Sequence, residues 1–243
     1  MSTVGVVTAL AAEARTLGLP TRHNGLCTLS DGTLIAISGI GGAAAAAAAR
    51  ALVDAGATAL VSWGLAGGLD PALRAGTICL PSTVISRDGE RLATDSHWCG
   101  VLVAALCARR TVVAGTLLTS AAAIDDIAGK AAAFRRTGAA AVDMESLDVA
   151  KIAAAQELPF IAVRVIVDTA ADALPAVVLA ASSEGRVQVS RLLLGVVRSP
   201  RAIAPLLRLA RRYRIAIRTL AAVAGTGALA PLAHAAARPT RLA

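Results

Sequence analysis

Four carboxylates stand out in a chain where only 16% of the residues are charged and 56% are hydrophobic. Glu13 is the first acid of the chain, Asp143 and Glu145 flank Met144 in the segment AVDMES, and Asp168 ends the apolar segment FIAVRVIVD. Carboxyl groups can exchange protons with a reacting molecule, and they accept hydrogen bonds from hydroxyl groups. The pattern therefore raises the question of whether these acids serve a reaction or only decorate a solvated surface.

An arginine inside one of these apolar segments is a second unusual feature. Arg164 interrupts FIAVRVIVD, which is otherwise apolar up to its final acid. A buried arginine without a partner is energetically costly, so carboxylates near the same end of the sheet are its expected partners. Glu13 is the first candidate for this pair, and the alternative is an ion pair that is purely structural.

The segments that must position these residues alternate between strand-like and helix-like patterns. Apolar runs predict strands at 4–10, 33–38, 58–64, 77–85, 111–120 and 160–168, and helices are predicted at 43–56 and 146–158. Continuous apolar strands separated by helices are typical of a largely parallel sheet that is covered on both faces. We therefore expect a three-layer α/β/α sandwich around a mostly parallel mixed sheet.

Polar and glycine-rich groups follow the predicted strands at the ends where parallel sheets bind ligands. Glu13 follows the first strand, SGIGG the second, GLAGG the third, and Asp168 the last. Glycines at these positions let backbone N–H groups come close to a ligand. The segment GIGGAA does not fit the dinucleotide-binding fingerprint, because no acid follows a second strand at the required distance. A binding site at this edge of the sheet is the expectation.

The charge of the chain is concentrated at its C-terminal end. Residues 1–185 hold 13 basic and 16 acidic residues, whereas 186–243 hold 11 arginines and no acid, which accounts for the net charge of +8. Such a segment suits an anionic membrane surface or an acidic partner. Because aromatic residues make up only 2% of the chain, nucleic acid is not an expected partner. The four cysteines form no C-x-x-C pair, which predicts reduced, mostly buried thiols in a cytoplasmic protein.

Two helices are predicted in this C-terminal segment, at 189–200 and 201–224, with a break at Pro200. In the second helix arginines oppose an apolar face, which predicts a basic amphipathic helix. The helix either packs on its own domain or docks on a membrane. The apolar positions are Ile203, Leu206, Leu207, Ala210, Ile217 and Leu220. The resulting division is a core at 1–170 and a loop with a basic helical extension at 171–243, which belongs to the same domain or forms a membrane-facing appendage.

The motifs together resemble a known family. VGVVTALAAEA, ISGIGGAAAA, SWGLAGGLDPALRAGTICLP, AVDMES and FIAVRVIVDTA stand in the order and spacing of the superfamily of purine nucleoside phosphorylases and methylthioadenosine/S-adenosylhomocysteine nucleosidases. Within it, AVDMES, the LPA loop and the arginine-rich extension are most similar to the hopanoid-associated phosphorylase group. That resemblance implies release of adenine from adenosylhopane in a cytoplasmic homo-oligomer, which could also contact the inner membrane peripherally.

The resemblance also assigns roles to individual residues. Asp168 would be the general acid that protonates purine N7, and Glu13 would orient or activate the nucleophile, which Arg164 positions. Met144 and Glu145 would hold the ribose, with Glu145 accepting hydrogen bonds from its hydroxyls. Asp143 has no comparable role and is expected to cap a helix. The expected substrate-binding residues are Met144, Glu145, Arg164, Gly41, Ala66, Gly67 and Ile124, and the resemblance implies no metal or cofactor.

Departures from the family pattern leave the nucleophile open. Hexameric phosphorylases bind phosphate with an arginine and a serine where this chain has Ser62 and Leu65, and the aromatic residue that stacks on the base in nucleosidases is replaced near Ala123. Phosphate is therefore one candidate co-substrate, and water acting in a nucleosidase for methylthioadenosine-type substrates is the alternative. A nucleoside-binding protein without catalysis is the third interpretation.

Overall fold

The computed structural model describes residues 3–19, 25–174, 182–183, 186–187, 203–227 and 229. The strands are β1 (Val4–Thr8), β2 (Leu26–Thr28), β3 (Leu34–Ile37), β4 (Ala59–Gly68), β5 (Ile78–Cys79), β6 (Thr83–Ile85), β7 (Arg91–Ala93), β8 (Val112–Val113), β9 (Thr116–Thr119), β10 (Ala141–Asp143), β11 (Phe160–Asp168), β12 (Ser182–Ser183) and β13 (Arg186–Val187). The helices are α1 (Ala11–Ala14), α2 (Gly42–Asp54), α3 (Ser96–Leu106), α4 (Ile127–Thr137), α5 (Ser146–Ala155) and α6 (Ile203–Ala224), with a 3₁₀ turn at Arg15–Leu17.

One mixed sheet of eleven strands organises this part of the chain, and β12 and β13 form a separate hairpin. The long strand β4 is its centre, with β1 and β11 parallel on either side. Its last residues, Gly67 and Gly68, pair with β10 in the antiparallel direction. This pairing brings AVDMES next to the carboxyl ends of β4 and β11, which lie far from it in sequence.

The two faces of the sheet are covered by different helices. Successive residues of β4 and β11 point to opposite sides, so that Leu60 and Ala162 belong to one buried cluster and Val61 and Val163 to the other. Helices α2 and α5 pack on the first face, and α3 and α6 on the second. The predicted three-layer α/β/α fold is therefore confirmed.

Several elements differ from the expectation in detail. The expected strand at 77–85 is split into β5 and β6, and the expected strand at 111–120 is split into β8 and β9. Strands β2, β7, β10, β12 and β13 and helices α1, α3 and α4 were not predicted. The helix predicted at 189–200 lies outside the described residues. Of the cysteines, only Cys79 is fully buried, so the expectation of mostly buried thiols was too broad.

The basic helix α6 packs on the core through its C-terminal half. Ala216, Leu220 and Val223 are fully buried in the cluster on that face of the sheet. Leu207, which was expected on the buried side, is 66% exposed. No helix in the described part of the chain combines the length and apolar character needed to cross a membrane.

Candidate active site

A cavity of about 860 Å³ opens where β1, β3, β4 and β11 end. Carboxylates occupy its floor, and almost all the remaining lining is apolar. The carboxylates are Glu13, Asp143, Glu145 and Asp168, and the apolar lining includes Ile40, Leu65, Ala66, Ile124, Met144 and Leu174. This is the edge of the sheet at which the sequence predicted a site.

Glu13 is held rigidly at the start of α1, directly after β1. Its Oε2 accepts hydrogen bonds from the Thr8 hydroxyl at 2.9 Å and the Leu10 N–H at 3.0 Å, and its Oε1 accepts the Leu65 N–H at 3.0 Å. Burial raises the pKa of Glu13, and the nearby positive charge of Arg164 opposes that rise. A carboxyl group with a raised pKa in a cavity is suited to take up a proton from a nucleophile.

Glu145 is fixed by two backbone N–H groups. Gly41 donates to Oε1 at 3.0 Å and Met144 donates to Oε2 at 3.2 Å. Burial, and then the negative charge of Asp143, raise the pKa of Glu145 to about 7. Each carboxylate oxygen has two lone pairs, so both oxygens can still accept a hydrogen bond from a ligand in the cavity.

Arg164 pairs with Asp143, and the predicted pair with Glu13 is wrong. Arg164 Nε donates to Asp143 Oδ2 at 2.8 Å, and Nη2 donates to the hydroxyls of Ser62 at 2.7 Å and Ser146 at 3.0 Å. Because β10 lies beside the end of β4, Asp143 is the carboxylate that meets the guanidinium directly. Glu13 instead accepts its hydrogen bonds from the Thr8 hydroxyl and two backbone N–H groups.

Asp143 therefore has a larger structural role than helix capping. Its Oδ2 accepts the N–H of Ser146 at 3.1 Å at the start of α5, as a capping acid would. It also accepts the Thr119 hydroxyl at 2.7 Å on Oδ1 and holds the buried Arg164. The expectation of a capping acid alone was incomplete.

Asp168 forms an ion pair with Lys130 of α4, which sequence reasoning did not identify. Lys130 is completely buried, and its ammonium also donates to the carbonyl oxygens of Thr169 at 3.0 Å and Asp172 at 2.8 Å. Burial raises the pKa of Asp168, as the sequence predicted, and Lys130 opposes that rise. The signal that could have identified Lys130 is its rarity, because the chain has only two lysines among 24 basic residues.

Close packing around the carboxylates depends on two glycines of β4. A methyl group on Gly64 would lie 2.7 Å from both Arg164 Nη1 and Glu13 Oε1, and one on Gly67 would lie 3.3 Å from Asp168 Oδ2. These glycines let the acids approach the strand more closely than any side chain would permit. The motif GLAGG therefore provides space for the site.

Most of the sequence-predicted residues line the same cavity, but two do not. Those in the lining are Glu13, Asp168, Met144, Glu145, Ala66, Gly67 and Ile124. Gly41 does not line the cavity, and its N–H donates a hydrogen bond to Glu145. Arg164 does not line the cavity either, and it donates its hydrogen bonds to Asp143 and two serines. Within the described residues, no His, Cys, Asp and Glu side chains group together as metal ligands would.

Helix α6 forms one wall of the cavity. Its N-terminal half contributes Leu206, Leu207, Leu209, Ala210, Tyr213 and Arg214 to the lining. Arg212 of the same helix pairs with the carboxylate of Asp172, which follows β11. Burial would raise the pKa of Asp172, but hydrogen bonds from Arg212 and Thr169 outweigh it and lower that pKa to about 2. The ion pair connects this wall to the loop that follows Asp168.

Comparisons with known proteins agree with this geometry. The family model described as the phosphorylase superfamily matches residues 5–198. A comparison with curated protein sequences finds no match.

Solved structures share the fold at low sequence identity. The methylthioadenosine/S-adenosylhomocysteine nucleosidase of Neisseria meningitidis, in complex with methylthio-immucillin-A, is 19% identical with a TM-score of 0.67, over 94% of this chain and 98% of that chain. Futalosine hydrolase of Helicobacter pylori is 13% identical with a TM-score of 0.69, over 93% and 96%. The Colwellia psychrerythraea nucleosidase with adenine is 19% identical with a TM-score of 0.68, over 94% and 96%.

Proposed function

The chain belongs to the phosphorylase superfamily, and on this basis we propose that it cleaves the N-glycosidic bond of a purine nucleoside with a large apolar 5′ substituent. Adenosylhopane is the first candidate substrate. The observation that carries the proposal is the cavity itself, where carboxylates share one floor beneath apolar walls. A volume of about 860 Å³ lies toward the upper end of the roughly 300–1,000 Å³ typical of ligand pockets.

The carboxylates suit the steps of such a cleavage. When the bond between ribose C1′ and purine N9 breaks, its electron pair goes to the purine, and Asp168 donates a proton to N7. The ribose carbon becomes positively charged and is attacked by an oxygen nucleophile, while Glu145 accepts hydrogen bonds from the ribose hydroxyls. Negative charge near the sugar stabilises that positively charged transition state. In this arrangement Glu13 receives the proton of an attacking water.

The apolar walls of the cavity favour a substrate with a large apolar 5′ substituent. With Glu145 on the ribose and Asp168 on the base, the remaining lining available to the substrate is formed mainly by Ile40, Leu174 and the apolar residues of α6. Ile40 is 43% exposed and Leu207 is 66% exposed, so the apolar surface continues from the cavity to its mouth. An alkyl or lipid chain would remove this surface from water.

Water is the second candidate nucleophile, and a specific observation favours it over phosphate. Ser62 lies under the cavity and is hydrogen-bonded to Arg164 and Ser146, while Leu65 presents an apolar side chain. A phosphate dianion would also be repelled by the carboxylates on the floor, with Arg214 the only basic side chain lining the cavity among the described residues. The similar folds of two nucleosidases and a futalosine hydrolase are consistent with hydrolysis.

The experiment measures adenine release from adenosine, methylthioadenosine and a 5′-alkyl adenosine in mixed micelles, with and without phosphate. We expect the 5′-alkyl substrate to have the highest kcat/KM, and a ribose 1-phosphate-type product would identify phosphorolysis. Asp168→Asn should lower kcat about 100-fold or more, whereas Asp88→Asn, at an exposed position, should not. Binding of these nucleosides without any turnover would contradict the proposal and support a non-catalytic protein.

A peripheral membrane contact is part of the same proposal, because a lipid-linked substrate lies in a bilayer. Leu207 is exposed at the mouth of the cavity on a helix that carries Arg208 and Arg211 at exposed positions. Flotation of the protein with anionic and neutral vesicles tests this contact. Leu207→Ser should weaken flotation with anionic vesicles, and Leu26→Ser, at another exposed leucine away from the cavity, should leave it unchanged. Equal flotation of both variants would contradict the contact.

A further inference from the structure

The ammonium group of Lys130 is enclosed by three oxygen acceptors. These are Asp168 Oδ2, the Thr169 carbonyl oxygen and the Asp172 carbonyl oxygen. An ammonium has three N–H donors and a neutral amine has two, so the surroundings match the charged form. Because the side chain is completely buried, that charge requires compensation, and Asp168 is the carboxylate that supplies it.

The fold presents Lys130 to Asp168 from a well-defined position on α4. Asp126 caps this helix by accepting the Gly129 N–H at 2.7 Å, and its carbonyl oxygen accepts the Lys130 N–H at 3.1 Å. Lys130 therefore lies in the first helical turn, with its side chain directed beneath the cavity. The three acceptors surround a compact ammonium, whereas a planar guanidinium presents its donors in a wider fork. This difference gives a reason for a lysine in a chain whose basic residues are nearly all arginines.

The hydrogen bond from Lys130 makes the two carboxylate oxygens of Asp168 different from each other. Lys130 occupies Oδ2, and no other side chain in the described part of the chain donates a hydrogen bond to Oδ1. Asp168 lines the cavity, so Oδ1 is the oxygen that a bound base can reach. A carboxyl group held by one oxygen has a defined orientation toward its substrate, which acid catalysis requires.

We propose that Lys130 is a positioning residue for Asp168, which directs Oδ1 to the purine and stabilises the carboxylate that remains after the proton has moved to N7. The inference rests on the proposed function. In this step the O–H bond at Oδ1 breaks, an N–H bond forms at N7, and the electron pair left on Asp168 is stabilised by the adjacent ammonium. Lys130 does not contact the substrate and keeps its own protons.

Two other charged groups act on Asp168. Asp172, from the loop after β11, raises the pKa of Asp168, and Arg212 of α6 lies close enough to interact with its charge. A change at Lys130 removes neither of these charges, and the Asp172 carboxylate is held by Arg212 and Thr169 rather than by Lys130. We therefore expect a change in pH dependence to report on Lys130. Removing a positive charge makes Asp168 a weaker acid, so it would keep its proton to higher pH.

The experiment compares pH profiles of adenine release by Lys130→Met, Lys130→Gln and the wild type. For the neutral variants we expect kcat to fall about 100-fold, KM to change little, and the alkaline limb of the profile to move to higher pH. Circular dichroism shows whether each variant folds. Lys130→Gln retains two hydrogen-bond donors and replaces Lys130→Met in the comparison if the methionine variant does not fold. Lys130→Arg keeps the charge, so its alkaline limb should stay in place although its rate falls.

The matched control is Lys151→Met, which removes the other lysine of the chain. Lys151 forms an exposed ion pair with Glu90 at 2.7 Å, and neither residue lines the cavity. Its rate and pH profile should equal those of the wild type. The inference about Lys130 would be overturned if a folded Lys130→Met or Lys130→Gln variant had the wild-type rate. It would also be overturned if the rate fell but the alkaline limb did not move, and the proposed function would stand in both cases. Absence of adenine release by the wild type would instead overturn the proposed function.

Discussion

The guanidinium of Arg164 and the carboxylate of Asp143 meet at 2.8 Å beneath the cavity, and both side chains are almost completely buried. Asp143 also accepts hydrogen bonds from Thr119 and from the first residue of α5. One carboxylate therefore holds together β9, β10, β11 and α5 below the site. Glu145, two residues further along, lines the same cavity, but both of its carboxylate oxygens keep acceptor capacity for a ligand.

The first prediction concerns the stability that Asp143 provides. Asp143→Asn leaves Arg164 with a buried charge and no carboxylate partner, so we expect the free energy of unfolding to fall by about 3 kcal/mol or more. Urea denaturation measures this loss. Asp54→Asn, at an exposed position near the end of α2, should change stability by less than about 0.5 kcal/mol. Equal stability of the two variants would show that the buried pair contributes little.

The second prediction concerns the pH dependence of substrate binding through Glu145. Its pKa is raised to about 7, so as the pH falls through 7 the carboxylate gains a proton and loses acceptor capacity for ribose hydroxyls. We expect the KM of the wild type to rise below pH 7. Glu145→Gln should have a high KM that does not change across this window, and the exposed Glu90→Gln should follow the wild type. An unchanged KM in Glu145→Gln would remove Glu145 from substrate binding.

The third prediction concerns the space at Gly64. A methyl group there would lie 2.7 Å from Glu13 Oε1 and from Arg164 Nη1. Other atoms of both side chains are held by hydrogen bonds, and Glu13 Oε1 itself accepts the Leu65 N–H. Gly64→Ala should therefore displace Glu13, lower kcat and cost about 1–3 kcal/mol of stability. Gly100→Ala, in α3 with open space around it, should be neutral or slightly stabilising. Thermal unfolding and kcat of the two variants test the difference.

The fourth prediction concerns the ion pair between Arg212 and Asp172, which anchors α6 over the cavity. Arg212→Gln should speed hydrogen exchange of the N-terminal half of α6 and raise the KM for a 5′-alkyl adenosine. Because the pKa of Asp172 is lowered to about 2, the stabilisation is present above its ordinary pKa and is lost as the pH falls toward 2. Arg218→Gln, at an exposed position, should exchange as the wild type does. Unchanged exchange in Arg212→Gln would show that apolar packing alone holds the helix.

The superfamily, the enzyme class and the α/β/α fold were predictable from the sequence and are confirmed by the family match and by the observed sheet. The superfamily and the enzyme class followed from the resemblance of the motifs to a known family. The fold and the edge that carries the site followed from strand periodicity and glycine-rich strand ends, which are local features of the sequence. The hopanoid-associated group, the homo-oligomer, the membrane contact, the cytoplasmic location and the roles of individual residues stay predictions. They depend on a substrate or a partner surface.

The sequence by itself determined which strand ends carry the acids, because the order of apolar segments and the residues after them is written along the chain. Only the tertiary structure decided which charges meet. Arg164 was assigned to Glu13 and pairs with Asp143, while Lys130 was overlooked and pairs with Asp168. Such partners come from elements far apart in sequence, and their choice depends on the antiparallel contact of β10 with β4 and on the packing of α4 and α6 around the cavity. Buried charges require partners, but the packing of the elements decides which partner is within reach.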